Sequence, residues 1–196
     1  MALVFNGSAN TLTGLATAGA GIPGTEVIAP TALSHLSGKN GGVIQVVQNL
    51  ITDTHSEALA TTHWATLGSF SDTSITPSSA SNKIIVSGWM SVGISSAMNV
   101  YLRLRRGSTV IAEADAAGSR RQGLSAGAPN DTNKMDAIPF WYLDSPNSTS
   151  ATSYNVQLAH PSSSTRTIYI NRDDTDTDAT TGCRVCSSIV LQEVVA

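Results

Sequence analysis

From Ile84 to Ile94 the chain alternates. Ile84, Val86, Gly88, Met90, Val92 and Ile94 hold the even positions, and the odd ones between them are mostly small or polar, Ile85 and Trp89 excepted. A period of two marks a strand with one buried face, because successive side chains on a pleated strand point to opposite sides. After a polar break at Ser95-Ser96-Ala97 the alternation resumes, with Met98, Val100, Leu102 and Leu104 on one side and Asn99, Tyr101, Arg103 and Arg105 on the other. Arg106-Gly107-Ser108-Thr109 has turn composition and leads into Val110-Ile111-Ala112-Glu113-Ala114-Asp115. Three strands joined by short turns are expected to form an antiparallel meander. A lone three-stranded sheet cannot hide that many apolar side chains from water, so a second sheet from elsewhere in the chain is expected to cover it.

Upstream, Val43-Ile44-Gln45-Val46-Val47-Gln48-Asn49-Leu50-Ile51 is a β-rich run, followed by a polar stretch holding His55 and His63 and then by Trp64 to Phe70. Thr76-Pro77-Ser78-Ser79-Ala80-Ser81-Asn82 is turn chemistry leading into the alternating segment. From Ala116 to Asp136 periodicity is lost, and Gly118, Gly123, Gly127 and Pro129 mark a long loop. Ile138 to Leu143, Ser153 to Ala159, Thr167 to Ile170 and Val185 to Val194 read as four further short strands. Many short strands and almost no helix predict an all-β chain, an antiparallel β-sandwich of jelly-roll type, over residues 41–196.

Residues 1–40 differ. Gly, Ala, Thr and Ser dominate, and Ile22-Pro23-Gly24 and Ala29-Pro30 interrupt regular structure, with a short helix predicted from Thr31 to Ser37 ahead of Gly38. Such a segment has no core of its own. Because Leu3-Val4-Phe5 and Leu12-Thr13-Gly14-Leu15 carry apolar area, an extended N-terminal arm that orders on a partner is expected rather than a free tail.

Charged residues make up only 13% of the chain, whereas Ser and Thr together supply roughly a quarter. Soluble monomers ordinarily carry more charge, so this surface predicts packing against other copies. The net charge of −3 and pI near 5.7 argue against a polyanion-binding protein, whose affinity would rest on clustered Lys and Arg, and nucleic acid is not an expected partner. No stretch approaches the ~20 apolar residues of a membrane span, and no positive start with an apolar run marks a signal peptide. Synthesis in the cytoplasm without export is the expectation.

Motifs with chemical meaning are few. Gly123-Leu124-Ser125-Ala126-Gly127 matches the G-x-S-x-G of serine hydrolases, but that chemistry needs a strand-to-helix turn in an α/β setting, and the flanks provide neither. Asp174, Asp176 and Asp178 fall at the spacing of the first three ligands of an EF-hand loop. Ala179 and Val185 stand where that loop needs Gly and a bidentate Glu, which leaves a looser surface calcium site or a solvated loop for Asp173 to Asp178. Cys183-Arg184-Val185-Cys186 lacks the partners of a zinc site and the helical setting of a redox pair, and its flanks are strand-like, so buried or half-buried thiols are expected. His35, His55, His63 and His160 are scattered and read as surface or interface residues. Arg103, Arg105 and Arg106 lie on the polar face of their strand, where carboxylates of a neighbouring strand or subunit are the expected partners. No catalytic residue, cofactor site or metal site is assigned, and the chain is not read as an enzyme.

The order of these features resembles a known module. Ile75-Thr76-Pro77-Ser78-Ser79-Ala80-Ser81-Asn82-Lys83-Ile84, the turn Arg106-Gly107-Ser108-Thr109-Val110-Ile111, the pair Tyr142-Leu143-Asp144-Ser145-Pro146 and Thr152-Ser153-Tyr154-Asn155-Val156-Gln157-Leu158, and the end Ser187-Ser188-Ile189-Val190-Leu191-Gln192-Glu193 are similar to a β-sandwich module of tailed-bacteriophage virion proteins. The opening Met1-Ala2-Leu3-Val4-Phe5-Asn6-Gly7-Ser8 also resembles the start of small phage structural proteins. Such modules occur in capsid decoration (cement) proteins, tail fibres and tailspike tips, usually as trimers. The resemblance implies a virion protein on the outer surface of the particle, with a homotrimer and the major capsid protein as partners. A trimeric capsid decoration (cement) protein that reinforces the head is the expectation, because the chain has a 40-residue stretch and one globular module but no repetitive shaft, and a short tail fibre or receptor-binding tip that meets a host surface glycan is the alternative. A surface-glycan hydrolase using Ser125 is the reading from a different class.

Overall fold

The computed structural model describes residues 4–6, 11–13, 41–60, 63–67, 70–180 and 182–196. The chain divides into two compact units, Met1–Leu36 and Ser37–Ala196. In the first, β1 (Val4–Asn6) and β2 (Thr11–Thr13) pair antiparallel, Val4 opposite Thr13 and Asn6 opposite Thr11. The helix expected at 31–37, and His35 with it, lies outside the described residues.

The second unit is a β-sandwich. Its strands are β3 (Val43–Ile51), β4 (His55–Leu59), β5 (Ala65–Thr66), β6 (Thr73–Ile75), β7 (Lys83–Ile94), β8 (Val100–Arg106), β9 (Thr109–Ala112), β10 (Ser125–Gly127), β11 (Asp136–Asp144), β12 (Thr152–Ala159), β13 (Arg166–Ile170) and β14 (Ser187–Val194). No α-helix occurs among the described residues of this unit. One sheet runs β3-β14-β7-β11. Past β14, the far end of β7 pairs with β13, and β13 with β4. The other sheet runs β10-β8-β12-β5, with β9 also on β8 and β6 also on β12. All pairings are antiparallel, and the first long strand, β3, lies beside the last, β14. The jelly-roll expectation is met by this order: β3, β14, β7 and β11 form one layer, and β6, β12, β8 and β10 the other.

The alternation reports burial faithfully. Ile84, Val86, Met90, Val92 and Ile94 of β7 are fully buried, and so are Val100 and Leu102 of β8 and Val156 and Leu158 of β12. Ile189 and Leu191 of β14, Ile138 of β11 and Ile168 and Ile170 of β13 complete the layer between the sheets. The predicted meander, however, is not formed. β7 and β8 belong to opposite sheets, and the break at Ser95 to Asn99 carries the chain across the sandwich instead of back along the same sheet. Only the β8-β9 hairpin of that meander exists. Alternation reports which face of a strand is buried but not which neighbour it pairs with, and here β8 is itself part of the cover for β7.

Two backbone positions show why the sheet accepts these residues. Gly88, in the middle of β7, has φ +153°, and a Cβ there would lie 2.0 Å from the Ser188 carbonyl oxygen and 3.0 Å from the Phe140 ring. Only glycine fits. Pro139 sits within β11, which pairs only with β7 among the described residues, and an edge strand is where a residue without an N–H is tolerated.

Candidate functional site

The polar residues that the sequence singles out are mostly fastened into the scaffold. Arg106, expected beside Arg103 and Arg105 on an outer face, instead spans the two sheets: its Nη1 donates to both carboxylate oxygens of Asp144 on β11, at 2.9 and 2.7 Å. The Tyr154 hydroxyl, fully buried on β12, donates to the same carboxylate at 2.7 Å. Burial first, and then the bond to Asp144, pushes the Tyr154 pKa well above the ordinary tyrosine range, so the phenol stays a donor. Arg103 and Arg105 do lie on the outer face of β8. Arg103 donates to Glu113 at 2.8 Å and to Gln157 at 2.9 Å and stacks over Trp64 at 4.3 Å, while Arg105 donates to Thr66 at 2.8 Å. This outer surface, with Gln157 also donating to Thr66 at 2.7 Å, is polar and charged.

The acidic run forms a closed loop. Asp173 accepts from the Asp176 N–H at 2.6 Å, and Asp176 is paired with Arg184 at 2.7 and 3.0 Å, which holds its carboxyl below the usual range. Asp176 is also one of the few non-glycine residues with positive φ, 44°. Among the described residues no three His, Cys, Asp or Glu side chains converge on a possible metal position. Asn171, fully buried at φ 62°, anchors this loop by donating to the carbonyls of Ile51 and Asp53 at 2.8 Å and accepting from Ser187 at 2.7 Å.

Three expectations need correction. Cys183 is exposed and only Cys186 is half-buried, because both precede β14 in irregular chain rather than lying in a strand. His160 is a core residue, 1% exposed: its Nδ1 accepts from the Ser162 N–H and its Nε2 lies 3.1 Å from the Leu59 carbonyl, which fits a neutral ring donating there. His55 stacks on Phe70 and sits 3.5 Å from Glu57, and His63 is exposed. The Ala116 to Asp136 loop contains one short strand, β10, and Ser125 opens it. Its Oγ is buried and has no hydrogen-bond partner, and the strand pairs with β8, so the nucleophile turn of a serine hydrolase is not formed.

A different feature, unassigned from sequence, stands out on the surface. The large apolar side chains exposed among the described residues are Val43, Ile44, Val46 and Leu50 of β3, Trp89 of β7, and Trp141 and Leu143 of β11, and all of them belong to one sheet. Strand register arranges the outer face of β11-β7-β14-β3 in rows: Leu143, Ile85, Gln192, Val46; then Trp141, Ser87, Val190, Gln48; then Pro139, Trp89, Ser188, Leu50. None of these twelve positions carries a charge; the next row, Val43, Val194 and Lys83, brings one cation to the rim of the face, where Lys83 Nζ donates to Ser145 at 2.8 Å. Trp141 is 60% exposed and Val46 58%, whereas the outward face of a solvated antiparallel sheet is normally polar. Gln48 donates to Ser188 at 3.1 Å and the Trp89 indole N–H to the Cys186 carbonyl at 2.9 Å. The sequence signal was present in Val43 to Ile51, where apolar residues occupy both parities of a strand that can bury only one of them by its own sandwich.

No protein-family model matches the chain, and no curated protein matches it. Among solved structures it aligns with the VP2 subviral particle of infectious bursal disease virus, at 13% identity over 78% of this chain and 38% of that one, TM-score 0.34. It also aligns with the T=1 particles derived from that virus (13%, 78% and 36%, TM-score 0.37) and with its Gt strain (13%, 78% and 38%, TM-score 0.36). The chain thus spans little more than a third of the length of these proteins. Alignments this loose do not bear on what the chain does, and a shared fold would not by itself carry function.

Proposed function

We propose that this chain is a structural subunit of a tailed-phage virion, a homotrimeric decoration (cement) protein that sits on the outer surface of the head and holds the major capsid protein. The observation that carries the reading is the uncharged apolar outer face of the β3-β14-β7-β11 sheet, which serves contact with protein rather than turnover of a substrate. The order of turns and strands that resembles virion β-sandwich modules supplies the setting, and the low charge suits a surface covered in an assembly. In this reading residues 1–40 are an arm that reaches over the shell or a neighbouring copy, and 41–196 is the clamp.

A phage deleted for the gene tests it. The proposal expects particles that adsorb normally but release DNA at lower temperature or on osmotic shock, with resistance restored by adding the purified protein. Particles as robust as wild type that fail to adsorb would instead support a short tail fibre or receptor-binding tip. That alternative draws on the groove lined by Tyr101, Ser119, Arg120, Arg121 and Pro161, whose cationic and aromatic chemistry suits an acidic host glycan.

A further inference from the structure

We infer that the outer face of the β3-β14-β7-β11 sheet is the surface on which a second copy of this chain sits. The inference rests on the self-association contained in the proposed function but not on the virion or on any position within it. Size comes first. With strands about 4.8 Å apart and about 3.3 Å per residue, the face has a flat footprint on the order of 400 Å², comparable to the largest patch of an ordinary monomer, which is often a functional surface. That is about half of the ~800 Å² each partner gives to a stable interface, and protruding indoles and the adjoining edge of β3 extend it.

Charge then selects the occupant. A nucleic acid or an acidic partner would need cations on this face, and a basic partner would need carboxylates. The three central rows contain neither, and Lys83, in the row at the rim, is engaged by Ser145. A homomer needs the opposite condition: where identical faces converge on a symmetry axis, any charge meets its own copy, so a neutral face is the one that can close. Three such faces turned to a common axis would enclose an apolar prism in which Trp141, Val46 and Leu50 of each copy meet those of both neighbours.

The edge of β3 points the same way. Among the described residues β3 pairs only with β14, and its nine residues include no charge, proline or glycine. Natural sandwiches blunt an open edge with charge, proline or a bulge; β3 has a bulge only at its start, where Glu193 pairs with Gln45 and Val194 with Val43, and the regular, uncharged edge from Gln45 to Ile51 marks a place where another chain docks. Face and edge are contiguous through Val46 and Leu50, so one neighbour covers both.

The test uses the full chain and its mass in solution. Wild type at about 100 µM should sediment as an oligomer of the 20.3 kDa chain, while Val46→Glu and Trp141→Glu should each drop to the monomer mass with β-sheet circular dichroism retained. Thr109→Glu, on the exposed end of β9 in the other sheet, should leave the oligomer intact. A monomeric wild type, or variants that stay assembled, would overturn the inference. Should the variants lose their β signal, hydrogen exchange on wild type decides: outward amides of Val43–Ile51 protected in the assembly and released on dilution support it, and unprotected ones overturn it. Assembly through this face by a chain missing from virions would sink the virion reading alone.

Discussion

Tyr154, Asp144 and Arg106 link three strands across the two sheets with one buried carboxylate. Tyr154→Phe removes a donor but leaves the ion pair, so a loss of about 1–2 kcal/mol is expected in urea unfolding, with the slope of the transition unchanged. Gly88→Ala acts by steric conflict with backbone, which cannot swing away as a side chain can. It should cost about 3 kcal/mol or more, the largest effect of any single methyl added to this sandwich. Glu193, 1% exposed, accepts from Asn82 at 2.7 Å and from Ser78 N–H and hydroxyl at 2.6 and 2.7 Å. Burial alone would raise its pKa, but these hydrogen bonds outweigh burial and hold the carboxyl below its ordinary 4.5. A depressed folded pKa means that the fold binds this proton less readily than the unfolded chain does. The stabilisation is therefore complete above the unfolded value near 4.5 and is lost as pH falls below it. Glu193→Gln should lower stability at neutral pH and flatten the decline on the acid side, read from thermal unfolding between pH 7 and pH 3.

Strands long enough to show several alternations were legible: the sequence runs for β3, β7, β8, β11 and β12 coincide with the strands to within a few residues. β4, β6 and β10 were not, because three to five residues of mixed Ser, Thr, Glu and Ala offer no period and are strands only through their neighbours β13, β12 and β8. Pairing was the least legible property. A tight turn was assumed between β7 and β8, but Ser95 donates its N–H to the Thr167 carbonyl and accepts from the Thr167 N–H, which fixes the turn against the end of β13 as the chain leaves for the other sheet. A lone histidine carries no burial signal in sequence, and the two partners that hold His160 in the core, the Ser162 N–H donor and the Leu59 carbonyl acceptor, lie 2 and 101 positions away. This arrangement predicts a gradient in hydrogen exchange. β7 is flanked on both sides over most of its length and should hold the slowest amides, whereas β4, paired with β13 alone among the described residues, should exchange by local opening well before global unfolding.

The second unit, Ser37–Ala196, is a sandwich with two unlike outsides. One, across β8 and β12, carries Arg103, Arg105 and Gln157 in a hydrogen-bonded net. The other, across β11, β7, β14 and β3, is neutral and apolar. Composition alone already suggested a covered surface, since a chain with 13% charged residues has little else to keep it apart from its copies. Which sheet is covered depends on register, and register emerges only when β11 and β14 come to flank β7. The same face would serve the proposed trimer on a head or on a tail, and abundance separates the two proposals, because decoration is stoichiometric with the shell and a fibre is not. The most direct test is therefore the copy number of this chain relative to the major capsid protein in purified virions, by quantitative mass spectrometry. The account predicts a ratio approaching one per shell subunit; a ratio lower by an order of magnitude, or the absence of the chain from particles, would contradict it.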